Sequence, residues 1–329
     1  MRERVEHVFA SLEQLIETLP VPPTHQELIW VHLSAGREKA LASPRLPAIQ
    51  LPFLVHAALT SDERPAHHLA GACTLLYFGA DLFDNLVDED LSSDWDARDP
   101  GEAYLAATTL LAAAPQLALD RLREDGIPPD RLWTLAHLFA ETLLTMSAGE
   151  HEDMHFTNRT DVGPEMCRDM VERKSGSELA LFAKAGAILA TDDPGVVQKY
   201  AAFGLCLGTA SQICSDVWDI WSGETSRDLL NGSRTLPVVH ALATLQGESR
   251  GRLQESLGAA RKSPECHDDV RVLLAEAGSL RYTALVQEVY RQQARKHLAA
   301  ASPREPAGEA LRMLLDETSL LATSHHASQ

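Results

Sequence analysis

The chain is poor in aromatic side chains, in positive charge and in long apolar runs. Phe, Tyr and Trp make up 5% of its 329 residues. Alternating β-branched and aromatic stretches, the mark of strands, are almost missing, so the sequence predicts essentially no sheet. Lys and Arg number 29 against 47 Asp and Glu, a formal charge of −18. That deficit argues against a nucleic-acid partner, which needs a basic face. A small anionic substrate is still compatible, because bridging cations reverse the local field. No segment reaches the roughly 20 apolar residues of a transmembrane span, and the N-terminus carries no signal-peptide stretch. Five cysteines (Cys73, Cys167, Cys206, Cys214, Cys266) are odd in number and lack zinc-ligand spacing. They read as free thiols in a reducing compartment, so a soluble cytoplasmic protein is the expectation.

What is there is helical periodicity from end to end. Helices are predicted near 3–18, 24–35, 46–60, 64–89, 102–124, 130–156, 164–191, 195–222, 235–245, 250–261, 267–276, 280–300 and 307–322. Pro22-Pro23, Pro100-Gly101, Pro128-Pro129, Gly163-Pro164 and Pro194-Gly195 punctuate the pattern. No linker, repeat or low-complexity tract divides the chain, so residues 1–329 are expected to form one domain. The stretch from Leu179 to Ala190 is apolar nearly all round, as in the middle of a large helical bundle. The fold class is therefore all-α, with binding groups projecting inward from facing helices around a central cavity.

Two acidic stripes interrupt that apolar pattern. Residues three and four apart share a helix face, so Asp81, Asp84 and Asp88 form one stripe. Gln212, Asp216 and Asp219 form another. A single such cluster is usually a solvated face. Two of them, each flanked by Leu, Phe, Val or Trp, are costly to bury without a cation between them. Mg²⁺ suits such oxygens, since it takes few carboxylates and completes its shell with water and phosphate.

Together with Asp228-Leu-Leu-Asn-Gly-Ser-Arg-Thr-Leu-Pro237 downstream, these motifs resemble the trans-prenyl diphosphate synthase (polyprenyl synthetase) family. The resemblance runs along almost the whole chain. Gly149–Asp153 is similar to the family's Gly-Gln-x-x-Asp segment, and Arg173-Lys174-Ser175-Gly176 to its Arg-Lys-Thr-Gly. It implies an isoprenoid synthase-type bundle, a homodimer and an allylic prenyl diphosphate as substrate. It also implies Mg²⁺ held by Asp84, Asp88, Asp216 and Asp219, with Asp81 in support. Lys174 would contact the diphosphate, Gln212 would face the metals or the cation, and Arg234 would join the substrate site. The prenyl tail would run past Gly79 and Ala80, where no aromatic ring closes the path, favouring a C15 or C20 substrate.

The departures from the family pattern concern the second substrate. Asn85 and Ser215 replace one Asp in each motif, Tyr77 stands where the family has His, and Ser233 replaces a Lys. No basic pair follows Asp90, so a second diphosphate would find few cations. The leading expectation is a prenyltransferase whose acceptor need not be isopentenyl diphosphate. A terpene synthase on the same fold, which cyclises or quenches the cation, is the alternative. A weakly active regulatory subunit of a prenyl synthase is a third reading.

Overall fold

Helix follows helix because the apolar residues recur at helical spacing and Pro sits at first-turn positions, where its missing N–H costs nothing. Pro23, Pro47, Pro100, Pro129, Pro164 and Pro194 each open a helix. The computed structural model describes residues 1–43, 45–96 and 98–320, and among them there is no strand. The described residues sort into two compact units. The first comprises 1–143, 181–201 and 300–314; the second comprises 144–180, 202–299 and the described residues from Leu315.

In the first unit the helix His67–Val87 is central. It packs against Arg2–Glu17, Pro47–Thr60, Pro100–Thr108 and Ala114–Asp120. Its buried residues include Leu69, Ala72, Cys73, Leu76, Phe78 and Leu82, an all-round apolar surface of the kind a core helix needs. The predicted helix 24–35 extends instead over Pro23–Ala42, passing through Gly36 without a break. The reason is tertiary: a Cβ at Gly36 would lie 2.3 Å from the Phe78 ring. That glycine permits an approach rather than ending a helix.

The second unit has its own apolar core, including Ile220, Leu229, Val238, Leu242, Leu253, Val270 and Leu274. The helices Leu236–Thr244, Gly247–Ala260 and His267–Glu276 supply most of it. Two helices expected to be continuous contain π-helical turns, at Thr109–Ala113 and Glu172–Gly176. Such turns add one residue per turn and re-aim the side chains they carry. The second of them carries Lys174. One short helix, Arg227–Asn231, has no counterpart in the periodicity. Ser226 caps it by accepting from Leu229 N, and Gly232 closes it with φ +78°, a conformation that favours glycine.

Candidate active site

The second acidic stripe lies on the long helix Pro194–Trp221, and its members are tied to one another. Gln212 Nε2 donates to Asp216 Oδ1 at 2.8 Å, one turn along. Gln212 Oε1 in turn accepts from Ser175 Oγ at 2.9 Å. The amide therefore bridges the π-helical turn Glu172–Gly176 to the acidic stripe. Close backbone approach makes this contact feasible: a Cβ on Gly208 would sit 2.5 Å from Ser175 O.

Lys174 points to a third segment. Its Nζ lies 2.7 Å from Glu150 Oε2 and 2.9 Å from Asp153 Oδ2. Both carboxylates belong to the helix Pro129–Phe156. Beside this trio, Arg173 grips Glu152 with two bonds of 2.9 and 3.0 Å. Gly149 lets the segments close, since a Cβ there would fall 2.5 Å from Lys174 N. On the other side of the same turn, the Tyr290 hydroxyl donates to Glu172 Oε1 at 2.7 Å.

Asp216 is 6% exposed. Burial pushes its carboxyl up to about 7, against the lowering effect of the Gln212 bond; Asp153 and Asp219 raise it further, and Lys174 opposes them. A carboxylate held among like charges at the cost of desolvation is the environment that a divalent cation relieves. Among the described residues no three or more His, Cys, Asp or Glu side chains are grouped to form a ready-made metal cage. Mg²⁺ does not require one, because it binds through one or two carboxylates plus substrate phosphates and water. The hard-oxygen donor set of Asp216 therefore fits the ion.

Asp219 is placed differently from Asp216. Its Oδ2 accepts from Ser226 Oγ and from Asp228 N, and its Oδ1 from Arg227 N at 3.1 Å. The carboxylate thus anchors the first turn of Arg227–Asn231, where a helix N-terminus favours negative charge. Arg234 is 4% exposed and donates to the backbone oxygens of Arg159 and Gly232. The Asp-Leu-Leu-Asn-Gly segment is held by these two side chains.

In the first unit, Asp81 lies 3.1 Å from His32 Nε2 and accepts from Asn85 Nδ2 at 3.4 Å. Asn85, the amide in place of an aspartate, thus braces the stripe. Asp84 lies in the last turn of His67–Val87, and Asp88 is its C-terminal cap residue and is exposed. Gly79 corrects an expectation. A Cβ there would lie 2.8 Å from Leu111 N and 2.9 Å from Leu110 C. This face of the helix is sealed by the π-helical turn Thr109–Ala113 and offers no open wall to a prenyl tail. Ala80, next to it, is half-buried.

Glu150, Asp153 and Ser175 were absent from the site residues expected from sequence. The i, i+3 spacing of Glu150 and Asp153 within Gly149–Asp153 was the available signal. Ser226 carried none, as its partner lies seven residues away in a turn.

The sequence model of the polyprenyl synthetase family matches residues 95–277, more than half of the chain. The chain belongs to the polyprenyl synthetase family. With this membership comes the enzyme class: an all-α prenyltransferase of isoprenoid biosynthesis. It is 26% identical over 310 residues to a geranylgeranyl pyrophosphate synthase of Geoglobus acetivorans, covering 91% of each chain. It is 26% identical over 282 residues to a short chain isoprenyl diphosphate synthase of Methanothermobacter thermautotrophicus, covering 81% of this chain and 83% of that one. A solved geranylgeranyl pyrophosphate synthetase from Geoglobus acetivorans superposes with a TM-score of 0.83 at 24% identity, over 97% of this chain and 98% of the other. The polyprenyl synthetase fold is therefore shared. No helix among the described residues is long and apolar enough to cross a membrane.

Proposed function

We propose that this polyprenyl synthetase ionises an allylic prenyl diphosphate with Mg²⁺ and transfers the prenyl group to an acceptor other than isopentenyl diphosphate. The observation that carries the reading is the buried Asp216 carboxyl, held by Gln212 and flanked by Asp153, Asp219 and Lys174. The C–O bond breaks with its electron pair leaving on the diphosphate, and the allylic cation is captured by acceptor electrons before a proton is lost. Mg²⁺ ions would be held on the one stripe by Asp84 and Asp88, with Asp81, and on the other by Asp216 and Asp219, and would supply Lewis-acid stabilisation of the leaving diphosphate.

The chain's own residues do the rest. Lys174, fixed by Glu150 and Asp153, supplies a cation for the diphosphate. Gln212 fixes the orientation of Asp216 through one bond and is fixed in turn by Ser175, the kind of support that pre-organises a site. Apolar helices keep water from the cation. An ordinary elongation site would need cations for a second diphosphate. Arg234, nearest the missing Lys, instead spends its guanidinium on two backbone carbonyls. This favours a non-diphosphate acceptor, and it also favours the terpene synthase reading, in which the cation is cyclised or quenched without one.

Small Ala80 supports a C15 or C20 substrate over C10. Exposed Tyr104, Leu105 and Trp133, at 48, 59 and 74%, support pairing of two copies. The free thiols support a cytoplasmic location. The reading further treats the chain as one isoprenoid synthase domain.

The test is incubation with Mg²⁺ and C10, C15 or C20 allylic diphosphate, with and without isopentenyl diphosphate, followed by product analysis. Diphosphate release that isopentenyl diphosphate neither accelerates nor converts into a longer prenyl diphosphate is the expected result. Efficient elongation would overturn the acceptor assignment. A cyclic hydrocarbon or prenyl alcohol formed without any acceptor would select the terpene synthase.

A further inference from the structure

A cavity of about 570 Å³ in the second unit collects positive charge without an acidic counterpart. Arg234, Arg261 and Lys262 line it, with the amides of Asn158 and Gln254, and none of its lining residues is Asp or Glu. In a chain carrying −18 this concentration is against the general trend. Arg234 arrives buried from the loop before Thr235, while Arg261 and Lys262 follow the helix Gly247–Ala260.

A helix C-terminus favours cations, and that accounts for Arg261 and Lys262 taken singly. It does not account for the buried Arg234 from another segment. Its guanidinium is pushed down to about 10, by burial first and then by the charge of Arg261. Like charges at one cavity are costly unless an anion joins them. The cradle is also tightly built: a Cβ on Gly232 would lie 2.3 Å from Asn158 Oδ1 and 3.1 Å from Arg261 Nε. Over the helix the space is open, for a Cβ on Gly258 would meet nothing within 4 Å.

We propose that this cavity binds a phosphate or diphosphate group carried by a small molecule. The Arg261 guanidinium and the Lys262 ammonium, with the side-chain amides of Asn158 and Gln254, offer more donors than one carboxylate accepts; Arg234, bonded to backbone carbonyls, adds its charge, and that pattern suits phosphate oxygens. The volume exceeds that of the bare anion, leaving room for an organic substituent against Leu257. The site uses cations of the protein itself, so it needs no metal. This separates it from the acidic site of the proposed reaction, and the inference does not depend on that reaction.

The experiment is calorimetric titration of the full chain in excess chelator, with inorganic diphosphate in one arm and geranyl diphosphate in the other. Without divalent metal the carboxylate site repels both ligands. Binding of one equivalent is expected, retained in Asp216→Asn and weakened about tenfold or more in Arg261→Gln/Lys262→Gln. Gly258→Phe fills the open space without meeting a neighbour at Cβ and is expected to block binding, with its unfolding temperature showing that it folds. Equal affinity in the two arms would assign recognition to the anion alone; tighter binding of geranyl diphosphate would add the apolar wall. Absence of metal-free binding, or binding unchanged in both cavity variants, would overturn the proposal.

Discussion

Gln212 donates its side-chain amide to Asp216 at 2.8 Å, and the same amide accepts from Ser175. One neutral group therefore links the acidic stripe to the π-helical turn that carries Lys174. Gln212→Ala leaves a buried carboxyl and a hydroxyl without this partner, at a cost of about 1–3 kcal/mol. Diphosphate release is expected to fall roughly tenfold or more, since 1.4 kcal/mol is a factor of ten, while circular dichroism keeps its helical signal. Wild-type kinetics in this variant would remove Gln212 from the site.

The position of the Asp216 carboxyl makes the stability of the metal-free protein depend on pH. Its folded value is raised to about 7 from 3.8, chiefly by burial. Between these values the folded state holds the proton more tightly than the unfolded chain, so stability falls as pH rises. Denaturant unfolding in chelator should show this decline, and Asp216→Asn should flatten it. An identical slope in the variant would mean that other groups govern the dependence.

The proposed role of the two acidic stripes predicts metal dependence. Asp84→Ala and Asp216→Ala are each expected to abolish diphosphate release, as is excess chelator, because the carboxylates repel the substrate until cations intervene. Full turnover by either variant would refute the assignment of Asp84 and Asp216 as ligands.

Gly79 predicts a conflict between local preference and packing. Alanine is favoured over glycine in a helix by roughly 1 kcal/mol. The added methyl would meet the backbone of Leu110 and Leu111 within 3 Å, and overpacking costs about 1–3 kcal/mol. Gly79→Ala should therefore lower the thermal midpoint. A midpoint raised by the substitution would show that the Thr109–Ala113 turn yields easily.

Substitution at Lys174 separates charge from mere support. Lys174→Met removes the cation and leaves Glu150 and Asp153 to repel each other. Its KM for the allylic diphosphate should rise about tenfold or more, as loss of a charge-assisted contact implies. An unchanged KM and kcat would confine Lys174 to holding the helix Pro129–Phe156.

The helices were legible in the sequence because their causes are local: apolar spacing within a turn or two, and Pro at the first position. For the same reason Asp81, Asp84 and Asp88, and Gln212, Asp216 and Asp219, could be placed on two faces by counting threes and fours. Their partners could not. Lys174 meets Glu150 and Asp153 across 21 and more residues of chain, and Ser175 meets Gln212 across 37. Gly36 read as a helix end and Gly79 as an open wall, yet the first admits Phe78 and the second admits a backbone turn. Asp219 and Arg234, read as groups for metal and substrate, are also drawn into holding a turn and a loop. The sequence by itself determined which residue types share a helix face, since helix geometry repeats every few residues. Only the tertiary structure decided what each face meets, because burial, close approach and hydrogen bonding between distant segments depend on how the helices pack.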